Sequence, residues 1–199
     1  MGSDTAWTEG PALSAWIYNS PRGAAAGTVR LHRLSRRGAV VVVDAASVTW
    51  VRGAHRPLIA HPRLRTMSDR GGASPLGMLL RRLVRADSDA TGDLRALAAE
   101  LRGTGLSEDF LRQLRDCLAP DSSALVVVSL AADAAEVQLV IERGKARGDV
   151  RLCHVSLTRA GLAVLGARVG TASSASRRGA VLHAHGSPVG KRVPRGRAT

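Results

Sequence analysis

Apolar residues recur along this chain in two arrangements, short continuous runs and spacings of three or four, which are typical of strands and helices respectively. The run Val40–Val43 is the strongest strand signal, because four consecutive valines suit a strand that is covered on at least one face. Asp44 should break or bulge this strand before it continues to Trp50. Pro62 excludes a central strand over 58–66, so that segment should lie at an edge. The predicted strands cover residues 13–19, 39–51, 58–66, 123–130 and 149–157.

The first predicted helix follows the first strand closely. Ser20 is a good N-cap, Pro21 fits the first helical position, and Gly38 is placed to end the helix. Gly23 and Gly27 would weaken an isolated helix, so close packing on a sheet must hold it in place. Further helices are predicted over residues 75–86, 94–101, 107–118 and 133–144, the last two with N-caps at Ser107 and Asp133.

Strands separated by helical crossovers require a sheet with helices packed on it. The pattern therefore predicts an α+β fold, a ferredoxin-like α/β sandwich with an extra helix and strand. Trp16 and Trp50 should lie on adjacent strands in the core. The predicted organisation is a disordered lead-in over 1–12, a single α+β domain over 13–157 with a variable helical insertion over 68–102, and a basic, disordered tail over 158–199.

The helix predicted over 75–86 has an apolar and a cationic side, and four interpretations are open. It could be an ordinary helix packed on its own domain, a membrane-surface helix, a protein-interaction or oligomer helix, or a phosphate contact. The absence of Trp and Phe counts against the membrane version. The residues of this candidate membrane or partner surface are Leu76, Leu79, Leu80, Leu83, Arg81, Arg82 and Arg85.

The net charge of +13 would ordinarily suggest nucleic acid or an anionic membrane as a partner. However, residues 158–199 contain eight basic and no acidic residues, which leaves a net charge of only +5 for residues 1–157. The tail is either a functional segment or the product of a shifted reading frame in a GC-rich gene. Nucleic-acid binding would be nonspecific, and the aromatic content of 3% disfavours base stacking. The candidate anion contacts are Arg177, Arg178, Lys191, Arg192, Arg195 and Arg197.

Sequence motifs for catalysis, metals or cofactors are missing from the chain. It has no P-loop, dinucleotide-binding, HExxH, paired CxxC or GxSxG pattern, so we expect no enzyme activity, no cofactor and no small-molecule substrate. His55 and His61 do not have a recognised ligand spacing, and Asp44 is expected to cap a turn. Cys117 and Cys153 are interpreted as buried small hydrophobes in a reducing compartment.

Two separated segments also resemble a known family. The "xVxDAAxVxW"-like hairpin at Val41–Trp50, and the acidic helix start followed by an apolar strand at 103–129, are similar to the DUF1269 family of uncharacterised bacterial proteins, which are described as membrane proteins. The resemblance covers about residues 13–66 and 103–157, and its motifs are structural. Family members carry an apolar hairpin between these segments, whereas this chain has an arginine- and aspartate-containing stretch over 71–103, which is costly to place in a bilayer.

The sequence therefore predicts a non-enzymatic binding or regulatory module, cytoplasmic and capable of forming a homo-oligomer. The first alternative is a peripheral protein of the inner membrane that uses the helix over 75–86 on an anionic membrane surface. The second is a nucleic-acid-associated protein that uses the basic tail.

Overall fold

The computed structural model describes residues 10–62, 74–85, 91–148 and 150–166, and these residues form a five-stranded antiparallel sheet with six helices. The chain order is β1 (Ala12–Tyr18), α1 (Gly23–Arg36), β2 (Val40–Trp50), β3 (Leu58–Ala60), α2 (Pro75–Arg85), α3 (Thr91–Glu100), α4 (Glu108–Cys117), β4 (Ser122–Ala132), α5 (Ala134–Ala146), β5 (Val150–Ser156) and α6 (Arg159–Gly166). The prediction of a mixed α+β fold is confirmed.

The strand order in the sheet is β3-β2-β4-β1-β5, and every neighbouring pair is antiparallel. Trp16 on β1 lies opposite Leu125 on β4 and Leu152 on β5. The expectation that Trp16 and Trp50 occupy adjacent strands is wrong, because β4 lies between β1 and β2. The α1 crossover joins two strands that run in the same direction, and this leaves room for an antiparallel strand between them.

The segment from Val40 to Trp50 is one bulged strand and not the hairpin that the family resemblance implied. The register against β4 shifts on both sides of Val42, so the predicted disturbance near Asp44 takes the form of a bulge. Asp44 remains in the strand, where its Oδ1 accepts a hydrogen bond of 2.8 Å from the Ala45 amide. The short β3 pairs with β2 at the sheet edge, as predicted for the segment that precedes Pro62.

Helices cover both faces of the sheet, and all seven residues of β1 are consequently buried. Leu13 and Ile17 on β1 belong to a core shared with α2, α3, α4 and α6. Trp16 and Tyr18, which alternate with them, belong to a second core shared with α1 and α5. The protein therefore has three layers, with two helices on one side of the sheet and four on the other.

The N-terminus of α1 differs from the prediction. The helix begins at Gly23, its N-cap position is Arg22, and no side chain at that position caps it, so Ser20 is not the N-cap. Instead, the Ser123 hydroxyl on β4 accepts a hydrogen bond of 2.9 Å from the Ala24 amide and donates one of 2.6 Å to the Ser20 carbonyl oxygen. A residue 99 positions away thus replaces the local cap, because the sheet brings its side chain to the helix end.

Close packing of α1 on the sheet is confirmed at both glycines. The ring of Tyr18 lies directly on Gly23 and Gly27, and a Cβ atom at either position would overlap it. The predicted N-caps of the two later helices are also confirmed, since Ser107 accepts from the Phe110 amide and Asp133 from the Glu136 amide.

The folded part of the chain extends beyond the predicted boundary at residue 157. Residues predicted to begin a disordered tail form α6, whose Leu165 is buried in the four-helix core. The Thr158 hydroxyl starts this helix by accepting a hydrogen bond of 3.0 Å from the Gly161 amide. At the other end, Ala12 of the predicted lead-in is the first residue of β1. None of the helices that the structure describes is both long enough and apolar enough to cross a membrane.

Candidate functional site

The apolar side of α2 faces the protein's own core. Its four leucines are at most 6% exposed and pack with residues of α3, α4, α6 and the sheet; they are Leu76, Leu79, Leu80 and Leu83. The interpretation of α2 as an amphipathic helix packed on its domain is therefore confirmed. The sheet and neighbouring helices cover these leucines, so a membrane or partner surface on them stays a prediction that the structure does not support.

The arginines of α2 lie on the opposite, solvent-facing side. Arg82 forms a bidentate ion pair with Glu100 of α3, with N···O distances of 2.5 and 2.9 Å. This hydrogen bonding raises the pKa of Arg82 and lowers the pKa of Glu100. Both side chains are about half exposed, so the pair orients α2 and α3 but adds little stability. Arg81 and Arg85 are exposed.

The predicted anion contacts of the tail, Arg177, Arg178, Lys191, Arg192, Arg195 and Arg197, lie outside the described residues. Within the described ranges, no group of three or more His, Cys, Asp or Glu residues could hold a metal ion. His61 contacts the start of α2 near Gly77, and its Nδ1 is 3.3 Å from the Ala45 carbonyl oxygen.

A serine–histidine pair lies in the core between the sheet and the two-helix layer. The Ser14 hydroxyl is 2.9 Å from Nδ1 of His154, and the residues are only 1% and 8% exposed. Burial lowers the pKa of His154, so the ring is neutral near neutral pH. The hydrogen bond gives a partner to the buried Ser14 hydroxyl and to Nδ1 of His154. Because a substrate has no access to the buried hydroxyl, the pair is not a candidate catalytic dyad.

A concentration of positive charge lines a cleft in the two-helix layer, and sequence reasoning missed it. A groove of about 490 Å³ runs between α1 and α5. Its cationic lining consists of Arg30, Arg33, Arg37, Arg143 and Arg147, and its single carboxylate is Glu136. Several of these arginines occur near helix C-termini, where they also favour the helix dipole.

Apolar side chains contribute to the same groove. Leu34 is buried beneath it, Val140 is half-buried, and Leu139 is 51% exposed. A second cleft of about 330 Å³ extends towards the N-terminus of α1 and shares Arg30 with the groove. Arg30 also lies near the hydroxyl of Tyr18. Burial raises the pKa of this hydroxyl, and the positive charge of Arg30 partly opposes that rise.

One sequence feature could have revealed this groove. No acidic residue occurs between positions 11 and 43, whereas the first helix and its flanks contain five arginines, namely Arg22, Arg30, Arg33, Arg36 and Arg37. What the sequence could not show is that α5 adds its own arginines beside them, because that depends on how the two helices pack.

A second structural feature is the proximity of two cysteines that lie far apart in the sequence. Cys117, the last residue of α4, and Cys153, in the middle of β5, have their sulfur atoms 4.0 Å apart. Cys153 is buried as predicted, but Cys117 is only partly buried.

A scan of protein-family models and a search of curated proteins found no match to this chain.

Proposed function

We propose that this protein is a non-enzymatic binding or regulatory module that docks an acidic, amphipathic segment of a protein partner in the groove between α1 and α5. The observation that carries this proposal is the composition of the groove lining, five arginines against one glutamate. Their guanidinium groups bind carboxylates with paired hydrogen bonds, so an acidic segment has the complementary charge.

The apolar part of the groove favours a peptide over a bare phosphate backbone. Leu139 is a large aliphatic side chain that is half exposed in the groove, next to Val140 and above Leu34. An amphipathic peptide can cover these side chains with its own apolar residues while its carboxylates meet the arginines. No aromatic residue lines the groove, so it offers no platform on which nucleic-acid bases could stack.

Charge reversal in the groove tests the proposal. The probe is a fluorescent peptide of glutamate and leucine residues, and its binding is measured by fluorescence anisotropy at low and high salt. The Arg33→Glu/Arg143→Glu variant should bind at least about tenfold more weakly than the wild type, which corresponds to about 1.4 kcal/mol. The difference should shrink at about 1 M NaCl, where charges are screened within about 3 Å.

The matched control is Arg81→Glu/Arg85→Glu, which makes the same change in net charge at exposed positions on α2, in the other helical layer. It should bind the peptide nearly as well as the wild type. Equal losses in both variants would show only a net-charge effect and overturn the groove assignment. A single-stranded oligonucleotide that displaces the peptide at lower concentration than unlabelled peptide would assign the groove to nucleic acid instead.

The ferredoxin-like classification, the family relationship, the cellular location and the oligomeric state are also proposals. The order β2-β4-β1-β5 of the four longer strands, with α1 and α5 on one face, supports a ferredoxin-like core to which β3 and the four-helix layer are added. Relationship to the DUF1269 family, a cytoplasmic location and homo-oligomer formation remain predictions. Peripheral membrane association through the α2 leucines has no support in the structure, because those leucines are buried.

A further inference from the structure

The Cys117–Cys153 pair is the strongest chemical feature outside the arginine groove. The two residues are 36 positions apart, and packing of α4 against β5 brings their sulfur atoms to 4.0 Å. Both cysteines are free thiols in the structure. Cys153 faces the four-helix core, whereas the arginine groove lies in the other helical layer.

The two thiols differ in exposure and in surroundings. Cys117 is only partly buried at the C-terminal end of α4, and Cys153 is 4% exposed beneath it. The hydrogen bond with Cys153, helped by the charge of Arg151, lowers the pKa of Cys117 to about 6, although burial and the Asp116 carboxylate oppose this change. The same hydrogen bond and burial raise the pKa of Cys153. Near neutral pH, Cys117 is therefore the accessible thiolate, and Cys153 retains its proton.

We propose that Cys117 is a thiol modification site for low-molecular-weight disulfides, and that Cys153 resolves the resulting adduct into an intramolecular disulfide. This arrangement matches redox-responsive cysteines, in which an accessible thiolate lies beside a resolving thiol. The proposal goes beyond the docking function and does not depend on it.

The reaction consists of two exchange steps. First, the Cys117 thiolate attacks one sulfur of a disulfide RS–SR, the S–S bond breaks, and RS⁻ leaves with the bonding electrons and takes up a proton. Cys153 then loses its proton, attacks the Cys117 sulfur of the mixed disulfide, and releases the second RS⁻. In total, two protein thiols are oxidised by two electrons, and one RS–SR is reduced to two RSH.

The geometry allows the second step with a small movement. The sulfur atoms must approach from 4.0 Å to a bonded distance of about 2.05 Å. Cys117 is the final residue of α4, and the backbone leaves the helical conformation at Leu118, so the end of the helix can adjust. No charged side chain has to be displaced from between the two sulfurs, which already contact each other.

The test treats the reduced full-length chain with oxidised glutathione and follows it by intact-mass spectrometry and peptide mapping. The wild type should lose two hydrogen atoms and retain no glutathione. Cys153→Ser should instead accumulate one glutathionyl group on Cys117, because it lacks the resolving thiol. Cys117→Ser should remain unmodified while folded, because Cys153 is buried.

Cys153→Ala serves as a second resolving-thiol variant in case a serine hydroxyl disturbs the core, and circular dichroism verifies that each variant is folded. The groove variant Arg33→Glu/Arg143→Glu should be oxidised like the wild type, which separates failure of this proposal from failure of the docking function. Three results would overturn the proposal. The wild type could stop at the mixed disulfide, Cys117→Ser could be modified to the same extent as the wild type, or disulfide-linked dimers could form in place of the intramolecular disulfide.

Discussion

The position of α2 on its own domain makes a sharp prediction for stability. Leu80 and Met78 lie on opposite sides of this helix, and they are 0% and 43% exposed respectively. Leucine and methionine have nearly the same helix propensity, so replacing either with alanine changes the intrinsic stability of the helix by a similar, small amount. The difference between Leu80→Ala and Met78→Ala therefore isolates burial in the four-helix core.

The magnitude follows from the size of the deleted group. Leu80→Ala removes the equivalent of about three carbon atoms from a site without solvent access, which costs about 2.4 kcal/mol in transfer free energy. The cavity left among the surrounding core side chains adds to this, so we expect a total loss of about 3 to 4 kcal/mol. Met78→Ala should cost less than about 1 kcal/mol, as is usual for an exposed position.

The assay is urea unfolding followed by circular dichroism and tryptophan fluorescence. Equal slopes of unfolding free energy against urea would show that only stability has changed, and the midpoints then give the two free-energy differences. Losses within about 1 kcal/mol of each other would refute the reasoning. Such a result would mean that α2 does not pack on the domain, and a membrane or partner surface on its leucines would again have to be considered.

Three other predictions follow from buried contacts. Ser123→Ala should lower the unfolding free energy by about 1 to 3 kcal/mol in urea denaturation, because the buried Ala24 amide loses its acceptor; a loss below about 0.5 kcal/mol would contradict the capping role. Gly27→Ala should lower the thermal midpoint, although alanine favours an isolated helix by about 1 kcal/mol, because its Cβ would overlap the Tyr18 hydroxyl; an unchanged or higher midpoint would count against this packing. Burial lowers the pKa of His154 in the folded state, so its contribution to stability is complete above about pH 6.5 and is lost as the pH falls below that value. The unfolding free energy, measured by urea denaturation between pH 7.5 and 5, should accordingly fall less in His154→Gln than in the wild type. Identical pH profiles of the two proteins would disprove the lowered pKa of His154 in the folded state.

The sequence predicted those elements whose signals are local. The valine run of β2, the leucine spacing of α2 and the caps at Ser107 and Asp133 each depend on a few neighbouring residues, and the structure agrees with them. The predicted end of the domain at residue 157 lies before α6, because Gly161 and the small residues of α6 give a weak helical signal. The Thr158 cap is itself a local contact. The helix is held on the domain by burial of Leu165 and by the Thr158 hydroxyl, which donates a hydrogen bond to the Gly103 carbonyl oxygen 55 positions away, and both of these contacts depend on the tertiary fold.

The features most relevant to function could not be predicted from the sequence, because they depend on which helices and strands become neighbours in the fold. Ser123 caps α1 because the sheet places β4 beside β1. Cys117 meets Cys153 because α4 packs on the same face of the sheet as alternate residues of β5. The arginines of α1 were visible as a cluster, but the groove exists because α5 lies next to them with Arg143 and Arg147.

Coverage of the sheet determines where ligands can bind. In an antiparallel sheet with one open face, exposed strand residues would be the first candidates for a docking surface. Here β1 is buried throughout, and β4 is buried from Ser122 to Ser129, so neither central strand presents a face to a partner. The surfaces left for recognition are the outer sides of the helical layers and the sheet edges. Of these, the α1–α5 groove combines concentrated positive charge with accessible apolar surface, and it lies across the sheet from the oxidisable Cys117. Substitutions in the groove and at the thiol pair should therefore act independently, as expected for distant sites that share no contacts.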